Sequence, residues 1–265
     1  MTFHFSPLRR AAVVICALAA WAPSGVLSTA TAADDTAIEK PADQKKAGTR
    51  ATGKKAGKKK EAGFTPLLEG DAQETWKTYG KEGWPEGWKL ENGVLHRHAG
   101  GGDLMTKKEY GDFDLRFAWK VAPGGNSGVM YRASESKEPA YVTGPEYQLL
   151  DNAKHADGKS PLTSTGSLYA LYAPSEEVMK PVGEWNRSRI VVNGKHVQHF
   201  LNGKKIVDVE VGSDDWNKKL AASKFATWGK YGKNDRGHVV LQDHGDKVWY
   251  RNMRIKELGE NEAAK

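Results

Sequence analysis

Residues 189–211 read RIVVNGKHVQHFLNGKKIVDVEV, and this stretch decides the fold class. Apolar and polar residues alternate around two Asn-Gly pairs, Asn193-Gly194 and Asn202-Gly203. Asn-Gly tolerates positive φ at both turn positions, so each pair marks a tight hairpin. Three consecutive antiparallel strands are expected. Outward from it, FDLRFAWKV (113–121) places Phe113, Leu115, Phe117, Trp119 and Val121 on one face and Asp114, Arg116 and Lys120 on the other. GHVVLQDHG (237–245) and VWYRNMRIKEL (248–258) add two strands joined near Gly245-Asp246, and GWKLENGVLHR (87–97) turns at a third Asn-Gly. One short helix is expected in SDDWNKKLAASKF (213–225), with Ser213 as N-cap and acids in its first turn. About ten short strands with Gly-rich turns predict an all-β, antiparallel β-sandwich.

The first part of the 265-residue chain reads differently. Arg9 and Arg10 precede the apolar run AAVVICALAAW (11–21), and small residues follow in STATAA (28–33). This pattern predicts a signal peptide over residues 1–33, cleaved after Ala32 or Ala33, and a secreted or periplasmic protein. The run is too short to span a bilayer comfortably. Cys16, the single cysteine, lies inside it, so the mature core is expected to be held by burial without disulfides. Residues 34–62 are rich in Lys, Ala, Gly and Thr and nearly devoid of large apolar groups, which predicts a disordered basic linker. Residues 63–258 form the expected sandwich and 259–265 a tail. Of the chain's +7, the leader carries +2 and the linker +4, which leaves +1 for residues 63–265. The folded part therefore lacks the electrostatic footprint of a nucleic-acid binder, while the linker suits anionic cell-envelope surfaces.

Strand parity supplies the candidate site. In GPEYQLLD (144–151), Glu146 and Gln148 share a face opposite Tyr147 and Leu149. In GNSGVMYR (125–132), Gly128, Met130 and Arg132 share one, and in VVLQDHG, Gln242 and His244 share one. If these faces coincide, Glu146, Gln148, Arg132, Gln242 and His244 converge on a carbohydrate-sized polar surface. Asn126, Tyr169 and Trp228 are further candidates for binding a sugar; aromatic faces, including those of Trp84 and Trp88, suit pyranose stacking. Structural alternatives stand beside each reading. Glu146 and Arg132 also fit a cross-strand ion pair, His244 a turn, and Asp151-Asn152 a strand end. Asn126 and Ser127 fit a backbone-bonding turn, and Glu184 the fixing of a strand start.

Six segments in order, GFTPLLEGD (63–71), GNSGVMYR (125–132), GPEYQLLDN (144–152), TGSLYALY (165–172), GEWNRSRIVVNGKHVQHFLNG (183–203) and GHVVLQDHGDKVWYRNMRIKEL (237–258), resemble the 3-keto-disaccharide hydrolase family. The opening turn departs locally, with Leu68-Glu69-Gly70 where a Phe-Asn-Gly-type turn is usual. The resemblance implies a jelly roll of the concanavalin A-like lectin/glucanase type with a sugar on its concave sheet. It also suggests cleavage of 3-keto glycosides by base-assisted elimination and hydration. The ketone acidifies H2, a base removes it, the enolate expels the C1 substituent, and water adds to the enone. Such chemistry needs a base (Glu146 or His244), a positive group facing the ketone oxygen (Arg132 or a divalent cation) and an acid for the leaving group. Glu146, Asp151 and His155 are candidate ligands for a cation, although no zinc-type signature is present. No Gly-x-Ser-x-Gly elbow or phosphate-binding Gly motif appears. Two other readings remain: a non-catalytic carbohydrate-binding module, and a conventional glycosidase using Glu146 and Asp151, whose opposite strand faces count against it.

Overall fold

The computed structural model describes residues 61–259. The expected signal peptide, all but the last two residues of the expected linker and the final six residues of the chain lie outside the described residues. The strands are β1 (Thr65–Pro66), β2 (Trp76–Thr78), β3 (Trp88–Glu91), β4 (Val94–Arg97), β5 (Leu104–Thr106), β6 (Phe113–Val121), β7 (Asn126–Ala133), β8 (Glu146–Leu150), β9 (Asn186–Asn193), β10 (His196–Leu201), β11 (Lys204–Glu210), β12 (His238–Leu241) and β13 (Val248–Glu257). They form two antiparallel sheets. One runs β11-β10-β9-β6-β13-β4-β3, with β1 also on β13; the other runs β2-β5-β12-β7-β8. This is the β-sandwich jelly roll expected.

Turn chemistry sets the hairpins. Asn92 and Gly93 have φ +52° and +75°, and Asn202 and Gly203 have +50° and +89°, so both link their strands through two positive-φ residues. The helix spans Asp214–Ala222, and the Ser213 hydroxyl accepts from the Trp216 N–H. The inward faces of the sheets meet in one core, where Phe113, Leu115, Trp119 and Ile190 face Val129, Tyr147, Leu149 and Leu241. Each fully buried side chain of this kind contributes roughly 1.5–3 kcal/mol. A polar chain crosses the interior: Trp119 Nε1 donates to Ser188 Oγ, and Ser188 Oγ to the Tyr147 hydroxyl. His199, with its pKa pushed down to about 4 by burial, is neutral between Tyr131 and the Gly166 carbonyl. Trp88 belongs to this core, its indole N–H bonded to the Gly102 carbonyl, so it offers no face to a sugar.

One strand breaks its alternation. Arg132 has φ +49°, where the β7–β12 register slips between His238 and Val240. Its guanidinium leaves the sheet face and donates to the carbonyls of Gly111 and Gly194 and to Asp112. Arg132→Met is therefore expected to lower stability by about 2–4 kcal/mol, because it strands buried acceptors, while leaving turnover per folded molecule intact. Thermal unfolding alongside an activity assay separates the two effects.

Candidate functional site

The outer face of the five-stranded sheet is built from two cross-strand rows. Met105, Val240, Met130 and Glu146 are paired in the first. Gly128 pairs with Gln148 in the second, and the Gln242 N–H donates to the Gly128 carbonyl beside them. Asp103 lies just before Leu104, the residue that pairs with Leu241. Apolar side chains thus floor one side, and Gly128 opens a gap in the polar row. The Glu146 carboxyl fills that gap: a Cβ at Gly128 would lie 1.9 Å from Glu146 Oε1.

Glu146 is only 6 % exposed, and no hydrogen bond reaches its carboxyl group among the described residues. Burial pushes its pKa up to about 8; the Lys224 ammonium opposes the rise, and the charges of Asp103 and Asp157 add to it. Asp103 itself is pushed up to about 6, again mainly by burial, although it accepts the Asp243 N–H. Two carboxyls held reluctant to ionise, with a cation beside one of them, are a poised proton-transfer set. Lys224 Nζ lies 4.3 Å from the centre of the Tyr169 ring, and the Tyr169 hydroxyl donates to Asp157.

A second group adjoins along β7. His155, His244 and Asp246 place three potential ligand atoms within 4.8 Å of one another. Asp246 accepts the Asn126 N–H, and His244 Nδ1 is 3.6 Å from its carboxylate. His155 Nδ1 accepts the Asp157 N–H, so a neutral His155 carries its proton on Nε2. That nitrogen is 3.4 Å from the Asn126 carboxamide, whose Oδ1 otherwise lacks a donor, and the amide orientation that suits both puts Oδ1 toward Nε2–H. His155 is thereby a proton donor at this face, and a cation bound through Nε2 would have to break the Asp157 bond first.

The site therefore gathers Glu146, Asn126, Gln242, Tyr169, His155 and His244 around one face. His244 stands in the loop after β12, 43 % exposed. Gln242 Oε1 is buried without a partner. Three expectations need correction. Arg132 does not face the site, because its bulge turns it to Gly111, Asp112 and Gly194. Gln148 is committed to structure, donating to the Thr163 carbonyl and so tying residues 156–163 over the sheet. Asp151 caps its own turn, accepting the N–H groups of Gly124, Ala153 and Lys154, and is not in the cluster of His155, His244 and Asp246. Trp228 packs on Phe225 and Tyr141, in the segment that also carries Lys224. Lys224, Asp103 and Asp246 were not singled out from sequence. Lys224 follows an amphipathic helix and reads as a solvated charge, and Asp103 ends a glycine run; neither carries a local signal.

Residues 63–256 match the sequence family described as the 3-keto-alpha-glucoside-1,2-lyase-like domain. The chain is 35 % identical to the 3-keto-disaccharide hydrolase of Bacteroides thetaiotaomicron over 228 residues, covering 74 % of this chain and 79 % of that protein. Two crystal structures of candidate glycosyl hydrolases from Parabacteroides distasonis superpose with TM-scores of 0.68 and 0.60, at 33 % and 28 % identity. Each match covers 74 % of this chain, and they cover 94 % and 99 % of the respective structures.

Proposed function

The chain belongs to the 3-keto-alpha-glucoside-1,2-lyase-like family, and from that premise we propose that it cleaves 3-keto glycosides on the outer face of its five-stranded sheet by elimination and hydration. The observation that carries the reading is the buried, unbonded Glu146 carboxyl lying over Gly128, within the field of the Lys224 ammonium. A carboxylate so placed regains no hydrogen bonds on ionising, so its affinity for a proton is high, as a base for a weakly acidic C–H requires.

In the ionised enzyme Glu146 takes the proton from C2 of the bound keto sugar. The C–H electrons become the C2=C3 bond of an enolate, and negative charge builds on the C3 oxygen, opposite the Lys224 ammonium. The enolate re-forms the ketone as C1=C2 develops and the C1–O bond breaks. The leaving oxygen takes a proton from His155 Nε2–H, which the Asp157 N–H fixes in the donor tautomer. Water then adds at C1, giving its proton to His155, and Glu146 returns a proton to C2. The sum is hydrolysis, with both residues restored. Asn126 and the free Gln242 Oε1 offer sugar hydroxyls their partners.

A purified preparation should turn over 3-keto-trehalose or a 3-keto-glucoside and leave the unoxidised disaccharide untouched; binding of the sugar without turnover would make the protein a lectin. Lys224→Met is expected to shift the rising limb of the kcat/KM–pH profile to higher pH, because that ammonium holds Glu146 down. A profile that does not move would remove Lys224 from the site. The leader-like residues 1–33 and the lysines of 34–62 support export as part of this proposal, and the N-terminus of the mature protein would start at residue 33 or 34.

A further inference from the structure

The other outer face of the sandwich carries a groove of about 1210 Å³ with five arginines on it. They stand in two cross-strand rows. Arg254, Arg116 and Arg189 are paired in one, and Arg251, Ala118 and Arg187 in the other. Like charges directly opposite repel, so such rows need compensation. The first row has it: Asp114 pairs with Arg116 and Arg189, and Glu61 with Arg116 and Arg254. The second row has none. No ion pair reaches Arg187 or Arg251 among the described residues, and Arg251 Nε is buried with no acceptor. The Arg251 guanidinium is held 3.9 Å from the centre of the Trp185 ring, so it is fixed before any ligand arrives. Ala118 between the two leaves an open floor, and the two arginine backbones lie about 10 Å apart across it, two inter-strand spacings.

We propose that this row binds the carboxylates of an acidic polysaccharide, at a site separate from the one around Glu146. The Arg251 guanidinium, held on Trp185, and the exposed Arg187 guanidinium, with a small residue between them, match spaced oxyanions, and an open groove admits a chain. With a net +1 over residues 63–265, the charge is local to the row and lacks the broad field that a nucleic-acid backbone requires.

Titration of the full chain with polygalacturonate at low salt, with neutral dextran and oligothymidylate in parallel, tests this. Wild type should bind polygalacturonate, salt-sensitively, and ignore dextran. Arg187→Ala/Arg251→Ala should bind about tenfold or more weakly while keeping wild-type turnover of 3-keto-glucosides, since both residues lie on the opposite sheet. Ala118→Glu, which supplies the missing carboxylate internally, should lose binding without losing stability. Unchanged affinity in the double variant would overturn the proposal, because binding would then not involve this row. Dextran or oligothymidylate binding as tight as polygalacturonate would overturn it as well.

Discussion

Glu146→Gln should abolish most turnover of a 3-keto-glucoside, by roughly 10²- to 10⁴-fold in kcat, and should at the same time make the protein more stable at alkaline pH. The second half follows from linkage. The folded-state pKa of Glu146 is about 8 against an ordinary value of 4.5, so between these values the folded state binds a proton that the unfolded chain releases. Stability is complete below about 4.5 and is lost as pH rises through 8. A shift of this size corresponds to destabilisation on the order of a few kcal/mol above pH 8. Gln keeps the shape without the charge, so wild type and variant should melt together near pH 4 and diverge as pH rises, the variant higher. Thermal melts across this range check it. Melting curves that stay parallel across this range would mean that the fold does not hold Glu146 protonated.

Gly128→Ala is the second large effect. The added methyl would stand 1.9 Å from Glu146 Oε1, 2.6 Å from Cδ and 2.8 Å from Cγ. No Cβ contact is that short, so the carboxyl must move off its place. Displacing a reacting group by about 1 Å costs about 10² in rate, and overpacking costs about 1–3 kcal/mol in stability. The control is a double-mutant cycle: in a Glu146→Ala background the clash is gone, and Gly128→Ala should then be nearly neutral for stability. Equal costs in both backgrounds would mean that the methyl strains the sheet itself.

The sandwich was legible because alternation and Asn-Gly turns are local signals. Phe113, Leu115, Phe117, Trp119 and Val121 face inward as their period requires, and Asn92-Gly93 and Asn202-Gly203 turn through positive φ. That Glu146 stands opposite Tyr147 and Leu149 was legible for the same reason; which of the two faces is the outer one was not. What failed is what parity does not carry. Arg132 has the right spacing, but a bulge with φ +49° redirects it to Gly111, Asp112 and Gly194. Gln148 has the right face, but the segment folded over it takes its amide. Lys224, Asp103 and Asp246 reach the site from turns and a helix end, and long-range packing alone brings them to Glu146 and His155. The tautomer of His155 depends on a two-residue cap that no sequence period encodes.

Proton removal at C2 before the glycosidic bond breaks is the step on which the catalytic account stands. It is tested most directly by cleaving a 3-keto-glucoside deuterated at C2 in ordinary water, with the Glu146→Gln protein as the background for spontaneous exchange. The released 3-keto sugar should carry solvent hydrogen at C2 with wild type, formed at a rate slowed by the deuterium. Deuterium retained at C2 together with a rate that the deuterium does not slow would mean direct displacement at C1, and Glu146 would not be the base.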